Sequence, residues 1–203
     1  MKKIALALSL VIFALVSCEK EKNNGKTVGN TTEAYIVATS STTWHYFSFD
    51  NNEVAGTGEE NETDNATWFG RDDWDIAISR YSIRTNSGSA TTINSQGGVY
   101  TFDEETTFSS VTEVPSDIIF SYDAPVTSSG HGGTTTTIKS GATVILFQTN
   151  EDGSLVMPPV YLQAPVYIFR SADGEKYYKV LFTQYQNDES VSGHVKFDFA
   201  EIE

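Results

Sequence analysis

The chain has 203 residues, with 13 Lys+Arg against 27 Asp+Glu and a formal charge of −14 at pH 7. That balance argues against a nucleic-acid partner, whose phosphates need Lys and Arg contacts. A single Cys excludes a disulfide framework and a thiolate metal cluster, and 12% aromatic residues exceed what a disordered chain carries, so one folded domain is expected.

The N-terminus reads as an address. Met1-Lys2-Lys3 is a basic start, and Ile4 to Val16 is an apolar run interrupted only by Ser9, too short for a comfortable membrane span. Leu15-Val16-Ser17-Cys18 looks like a bacterial lipobox, which makes residues 1–17 a lipoprotein signal peptide and Cys18 the lipidated new N-terminus. Two or more acyl chains give stable attachment, at roughly 0.8 kcal/mol per buried CH₂. Processing leaves 11 basic against 27 acidic residues, a net charge of −16, with Met157 the only methionine. Residues 18–33 are polar and poor in large apolar groups, a flexible tether joined to the membrane through the lipid alone.

Residues 34–203 alternate in the two-residue period of strands rather than the helical period. The predicted strands are Ala34–Ala38, Trp44–Phe49, Trp74–Arg84, Gly98–Phe102, Asp117–Tyr122, Thr134–Lys139, Ala142–Phe147, Pro165–Arg170, Tyr177–Gln184 and His194–Ile202. Turn chemistry punctuates them at 86–88, 96–98, 152–153 and 172–174, and 106–116 has room for one short helical turn. The expected fold is a single antiparallel all-β domain with a ligand pocket formed by loops at one end.

Catalytic signatures are absent: there is no G-x-S-x-G, no H-E-x-x-H and no Gly-rich loop ending in Lys-Ser/Thr, so an enzyme is not expected. His131 lies in Ser128-Ser129-Gly130-His131-Gly132-Gly133, where flanking glycines leave an imidazole open to an approaching metal or haem iron. Met157 precedes Pro158-Pro159, which no central strand accommodates, so its soft thioether sits at a loop or strand edge. His and Met together are an axial pair for haem iron, whereas a structural zinc needs four ligands. His45 reads as a packed strand residue and His194 as a strand-end residue. The acidic runs at 58–64 and 103–105 lack the spacing of a calcium loop and read as solvated.

Several strings together resemble the HmuY family of Bacteroidetes haem-binding lipoproteins. They are Trp44-His45-Tyr46-Phe47-Ser48-Phe49, Trp74-Asp75-Ile76-Ala77 with Arg80-Tyr81 and Arg84-Thr85-Asn86-Ser87-Gly88, and Gly97-Gly98. The C-terminal half adds Val166 to Gly174 and Lys179 to Gln186, and the lipobox agrees, as does the charged stretch after Cys18. The resemblance implies an outer-membrane, surface-exposed or shed haemophore. Such a protein captures non-covalent haem b through two axial side chains and passes it to a TonB-dependent receptor, with host haem proteins as a further partner class.

On that resemblance His131 corresponds to the first ligand. The second position, held by His in the type member, has no His between 132 and 193, which leaves Met157. Leu155, Val160 and Tyr161 are candidate porphyrin contacts, and Lys139 a candidate propionate partner. A second reading stays open: a surface glycan- or other small-ligand-binding lipoprotein of the same fold without haem, with Trp44, Trp68 and Tyr161 stacking on sugar rings.

Overall fold

The computed structural model describes residues 28–130 and 133–203; the signal segment, Cys18, most of the tether and His131 lie outside the described residues. In chain order the elements are β1 (Thr32–Val37), β2 (Thr43–Ser48), β3 (Glu53–Glu59), α1 (Glu62–Phe69), β4 (Ile76–Ser79), β5 (Ser82–Thr85), β6 (Gly98–Thr101), β7 (Ala124–Gly130), β8 (Gly133–Lys139), β9 (Ile145–Phe147), β10 (Tyr161–Gln163), β11 (Tyr167–Arg170), β12 (Tyr177–Gln186) and β13 (Ser192–Ile202). A five-stranded sheet runs β1-β13-β12-β11-β6 and a four-stranded sheet β3-β2-β4-β5, while β7-β8 and β9-β10 form separate hairpins. Every pairing among these strands is antiparallel, as the alternation predicts.

The two sheets face each other across one apolar layer. Phe47, Ile76, Ile78 and Ile83 come from the four-stranded sheet, and Tyr167, Phe169, Val180, Val195, Phe197 and Phe199 from the five-stranded one. Period-two alternation sends the intervening residues to the outer faces, and both outer faces are covered as well. Val166, Ile168 and Ile202 pack under the 102–120 segment through Phe108, Val111 and Phe120. Trp44, Tyr46, Trp74 and Ala77 pack under α1 through Trp68 and Phe69. Each fully buried large side chain contributes on the order of 1.5–3 kcal/mol, which explains why so many strand positions are apolar on both faces.

The acidic run at 58–64 is not a solvated loop, as the sequence suggests, but the end of β3, the Asn61 cap and the first turn of α1. Asn61 caps it by accepting from the Asp64 amide at 2.9 Å, and Glu62 and Asp64 lie where the helix dipole favours anions. Eight residues are marginal alone, so packing decides: Trp68 stacks on Tyr46 with ring centres 4.0 Å apart. A Cβ at Gly56 or Gly58 of β3 would fall 2.8 or 2.7 Å from the Trp68 ring, so those glycines make room for the helix.

Other boundaries shift. Trp74–Arg84 is two strands, not one, because the chain turns at Arg80 and Tyr81, with Arg80 at φ +55. Trp74 lies before β4 begins, outside the strand's alternation, and packs with Tyr46 on the outer face, apart from Ile76 and Ile78. Asp117–Tyr122 makes only a bridge, Val99 to Ser121, and 106–116 holds no helix. Conversely, β3, β7 and β10 are strands where loops were expected.

Candidate functional site

The strings that stand out in the sequence hold the sandwich together. Asp75 accepts from the Phe49 amide and the Ala172 amide, both at 2.9 Å, tying one sheet to the turn of the other; burial pushes its carboxyl up from the usual range. Asn86 donates to the carbonyls of Arg71 and Trp74. Arg84 is fully buried and its guanidinium reaches four acceptors: Ile138 O at 2.6 Å, Tyr46 Oη at 3.2 Å, Asn65 Oδ1 at 3.0 Å and Glu60 Oε2 at 2.7 Å. It also lies 3.9 Å over the Trp44 ring. Burial beside this cation pushes the Tyr46 hydroxyl up to about 12, the desolvation outweighing the positive neighbour.

The two hairpins rise from one edge of the four-stranded sheet. β5 is that edge, and the short link between β8 and β9 runs along it: Ser140 N donates to Ile83 O and Val144 N to Tyr81 O, each at 2.9 Å. β7 and β8 pair from Ala124↔Lys139 out to Gly130↔Gly133. At roughly 3.4 Å per residue, seven residues carry that end well beyond the sheet. From the same edge, Tyr81 packs edge-on against Phe147, Phe147 against Tyr161, and Tyr161 against Tyr185, an aromatic line from the β4–β5 turn to β12.

The residues singled out from the sequence divide between these hairpins. Leu155, Met157, Val160 and Tyr161 all lie on the β9–β10 arm. Its excursion over 148–160 is pinned by the Thr149–Leu155 bridge and by Gln148 N donating to Val160 O. Met157 is 73% exposed and Leu155 50%, with Val160 and Leu162 also open to solvent, while Tyr161 is half-buried. Lys139 is at the inner end of β8, where Nζ makes a long 3.4 Å bond to Ser82 Oγ. His131 lies outside the described residues. Beside Tyr161 is a cleft of about 230 Å³, lined by Ile145, Tyr161, Gln163, Phe182 and Tyr185 among others. That is below the ~300–1,000 Å³ of enclosing ligand pockets.

Two expectations are corrected. Trp44 and Trp68 are 1% and 6% exposed, because one lies under Arg84 and the other stacks on Tyr46, so neither is available to stack on a sugar. Glu60 is a working partner of Arg84 and of Trp44 Nε1, at 2.6 Å from the latter, not a solvated acid. Among the described residues no group of three or more His, Cys, Asp or Glu is arranged to hold a metal ion. His45 is half-buried on β2, and desolvation, partly offset by Glu59, lowers its imidazole below the ordinary value. Asp123, at the foot of β7, was not foreseen: nothing in its sequence neighbourhood marks it, and its character comes from burial alone.

The molecule is a two-sheet antiparallel sandwich with two consecutive hairpins at one edge, one of them bearing exposed apolar side chains. The HmuY protein family matches residues 40–199, and the chain belongs to that family. Solved structures agree in fold. A Bacteroides vulgatus protein, provisionally described as HmuY-like and haem-binding, has a TM-score of 0.60 at 23% identity, covering 86% of this chain and 96% of its own. The Tannerella forsythia apo HmuY analog gives 0.57 at 22%, covering 89% and 100%. A Bacteroides fragilis protein, provisionally described as a lipoprotein, gives 0.60 at 20%, covering 84% and 90%. Comparison with curated proteins gives no match.

Proposed function

We propose that the protein is a haem-binding surface lipoprotein, a carrier and not an enzyme, that captures haem through His131 and Met157 and passes it to a TonB-dependent outer-membrane receptor. One observation carries the site: a methionine that is 73% exposed, set among the exposed apolar side chains Leu155 and Val160 in a chain of the HmuY family. Methionine is ordinarily core filler, and apolar side chains clustered in water are stabilised when a ligand covers them.

The residues present suit haem. Bound haem iron accepts two axial ligands, and a thioether with an imidazole is a recognised pair. Leu155 and Val160 offer apolar area to a porphyrin face, at about 25 cal/mol per Å². Lys139, whose Nζ makes a long 3.4 Å bond to Ser82 Oγ, has three donors and could turn one to a propionate. The cleft beside Tyr161, at about 230 Å³, is too small to enclose a porphyrin, so in this reading the hairpins supply the burial. The −16 charge expected of the processed chain opposes long-range approach of the two propionates, so affinity rests on coordination and apolar contact. The lipobox at Cys18, and the lipoprotein description of the Bacteroides fragilis neighbour, support surface anchoring and, on shedding, release. The glycan alternative loses its two tryptophans to the interior.

The test is a haemin titration of the chain from residue 18 with Cys18→Ser, which retains every described element. It is followed by absorbance in air and then after dithionite. A saturable one-to-one Soret shift with sharp low-spin bands is expected, with those bands lost in Met157→Ala and binding abolished when His131→Ala is added. Unchanged binding in the double variant overturns the ligand assignment. A trace identical to free haemin overturns the haem function.

A further inference from the structure

Arg170 is the last residue of β11, and alternation sends it to the same outer face as Ile168, under the 102–120 segment. It is a cation without an anion. Arg71, Arg84, Lys176 and Lys196 each pair with a carboxylate, whereas Arg170 pairs with none among the described residues of a chain that carries 27 acids. Phe120 covers one face of its guanidinium, with Cζ 4.9 Å from the ring centre. Such stacking fixes the guanidinium plane and leaves its N–H edges free. Only Nη2 reaches an acceptor among the described residues, Gly97 O at a long 3.4 Å, and Nε is buried with no partner. A planar fork of donors left this short of acceptors calls for a reason.

Arg170 lines a cleft of about 290 Å³ together with Tyr122, Asn94, Ser95 and Gln96 among others, and no Asp or Glu is in that lining. The 91–96 loop sets further donors there. Thr91 Oγ1 accepts from Ile93 N and Ser95 N, each at 3.2 Å, and gives its own hydrogen to Ser95 Oγ at 3.3 Å. Ser95 therefore keeps its hydroxyl hydrogen for another acceptor. Gln96 Nε2 donates one hydrogen to Asn94 O at 2.8 Å and keeps the second. The loop is fastened to the sandwich by Thr92 N on Phe69 O at 2.7 Å and Gln96 N on Ala172 O at 2.6 Å, so the cleft is preformed. Tyr122, 54% exposed, adds an aromatic wall.

We propose that this cleft binds a carboxylate that carries an apolar or aromatic body. The Arg170 fork takes the carboxylate, Ser95 and Gln96 donate to it, and the body lies against Tyr122. A guanidinium matches a planar carboxylate with two parallel bonds, which a lone ammonium does not. The acidic surface opposes long-range approach of an anion, so affinity rests on these local donors. The volume suits a small acid or the last residue of a peptide, not a porphyrin. Arg170 also stands at the end of β11 that turns into β12, whereas β10 and the Met157 arm precede the other end. The site is separate from the one proposed for haem and does not depend on that reading.

The test uses the ¹⁵N-labelled Cys18→Ser chain from residue 18, titrated with sodium benzoate at pH 7 and constant ionic strength. Amide shifts of residues 94–97 should move saturably with benzoate and stay still with benzamide, the neutral molecule of the same shape. Arg170→Gln should weaken benzoate tenfold or more, and Arg170→Lys, which keeps the charge without the fork, about tenfold. Ser95→Ala should weaken it by about two- to tenfold. That variant deletes no backbone bond of the loop, so it carries the test if the Arg170 variants fail to fold by tryptophan fluorescence.

No saturation with benzoate, equal shifts with benzamide, or unchanged affinity in Arg170→Gln or in Ser95→Ala overturns the site. Acetate binding as tightly as benzoate overturns the role of Tyr122. Tighter binding of N-acetyl-glycyl-phenylalanine than of benzoate makes a chain terminus the source, and weaker binding a free acid; both uphold the site. Haemin binding lost in Arg170→Gln would make the anion a haem propionate and overturn a separate site. Unchanged benzoate affinity in Met157→Ala upholds it, whether or not haemin binds.

Discussion

Replacing Arg84 with methionine keeps the length and apolar stem of the side chain and deletes its guanidinium. Four acceptors lose a donor: Ile138 O, Tyr46 Oη, Asn65 Oδ1 and Glu60 Oε2. Glu60 does not swing freely into water, since Trp44 Nε1 and Asn65 Nδ2 still hold its carboxylate at 2.6 and 3.0 Å. Removing one partner of a buried ion pair costs about 3–5 kcal/mol, a large fraction of the roughly 5–15 kcal/mol that domains possess. The pair is only partly shielded, with Glu60 19% exposed against 0% for Arg84, which favours the lower end.

Urea denaturation followed by tryptophan fluorescence reads this directly, because Trp44, Trp68 and Trp74, the chain's only tryptophans, all belong to the cluster around Arg84. Adding Glu60→Gln to Arg84→Met should recover about 0.5–3 kcal/mol by removing the stranded charge, the double-mutant coupling expected of residues in one network. A cost below about 1 kcal/mol for Arg84→Met, or no recovery in the double variant, would show that the guanidinium is not what joins α1, β2 and the foot of β8.

Gly88→Ala should destabilise the fold by about 2 kcal/mol or more, measured by the same unfolding curves, because its Cβ meets Asp123 O and its φ of +52 disfavours a side chain; a neutral result would mean that the 88–90 turn gives way freely. Stability should also depend on pH through Asp123. The folded carboxyl titrates near 7 and the unfolded one near 3.9, so the native state holds the extra proton in between. Stability therefore falls as pH rises from about 4 to 7 and is flat above. Between pH 5 and 8 wild type should lose about 3 kcal/mol relative to Asp123→Asn, the loss falling mostly between pH 5 and 7. His45 and Asp75 titrate alike in both proteins and cancel, and parallel stability curves would refute the assignment.

The antiparallel sandwich was legible because strand alternation survives in segments such as Thr43–Ser48 and Ser192–Ile202, where apolar side chains point at a facing sheet. Harder to read were elements that alternation does not signal. Glu62–Phe69 is acidic and polar over most of its length and becomes a helix only because Trp68 finds Tyr46 and two glycines clear its path. Ala124–Gly130 carries Pro, Ser and Gly and becomes a strand only by pairing with Gly133–Lys139.

By itself the sequence determined the fold class, the family strings and the soft-ligand inventory, one methionine and three histidines after the signal segment. These depend on which residues are present and on their local spacing. Tertiary structure alone decided that Trp44 and Trp68 are interior, that Met157 is exposed, and that Arg84 and Asp123 stand at the two feet of one hairpin. Burial, desolvation and hydrogen-bond satisfaction belong to pairs of residues brought together from distant parts of the chain, and Asp123 acquires its raised carboxyl pKa only from such company.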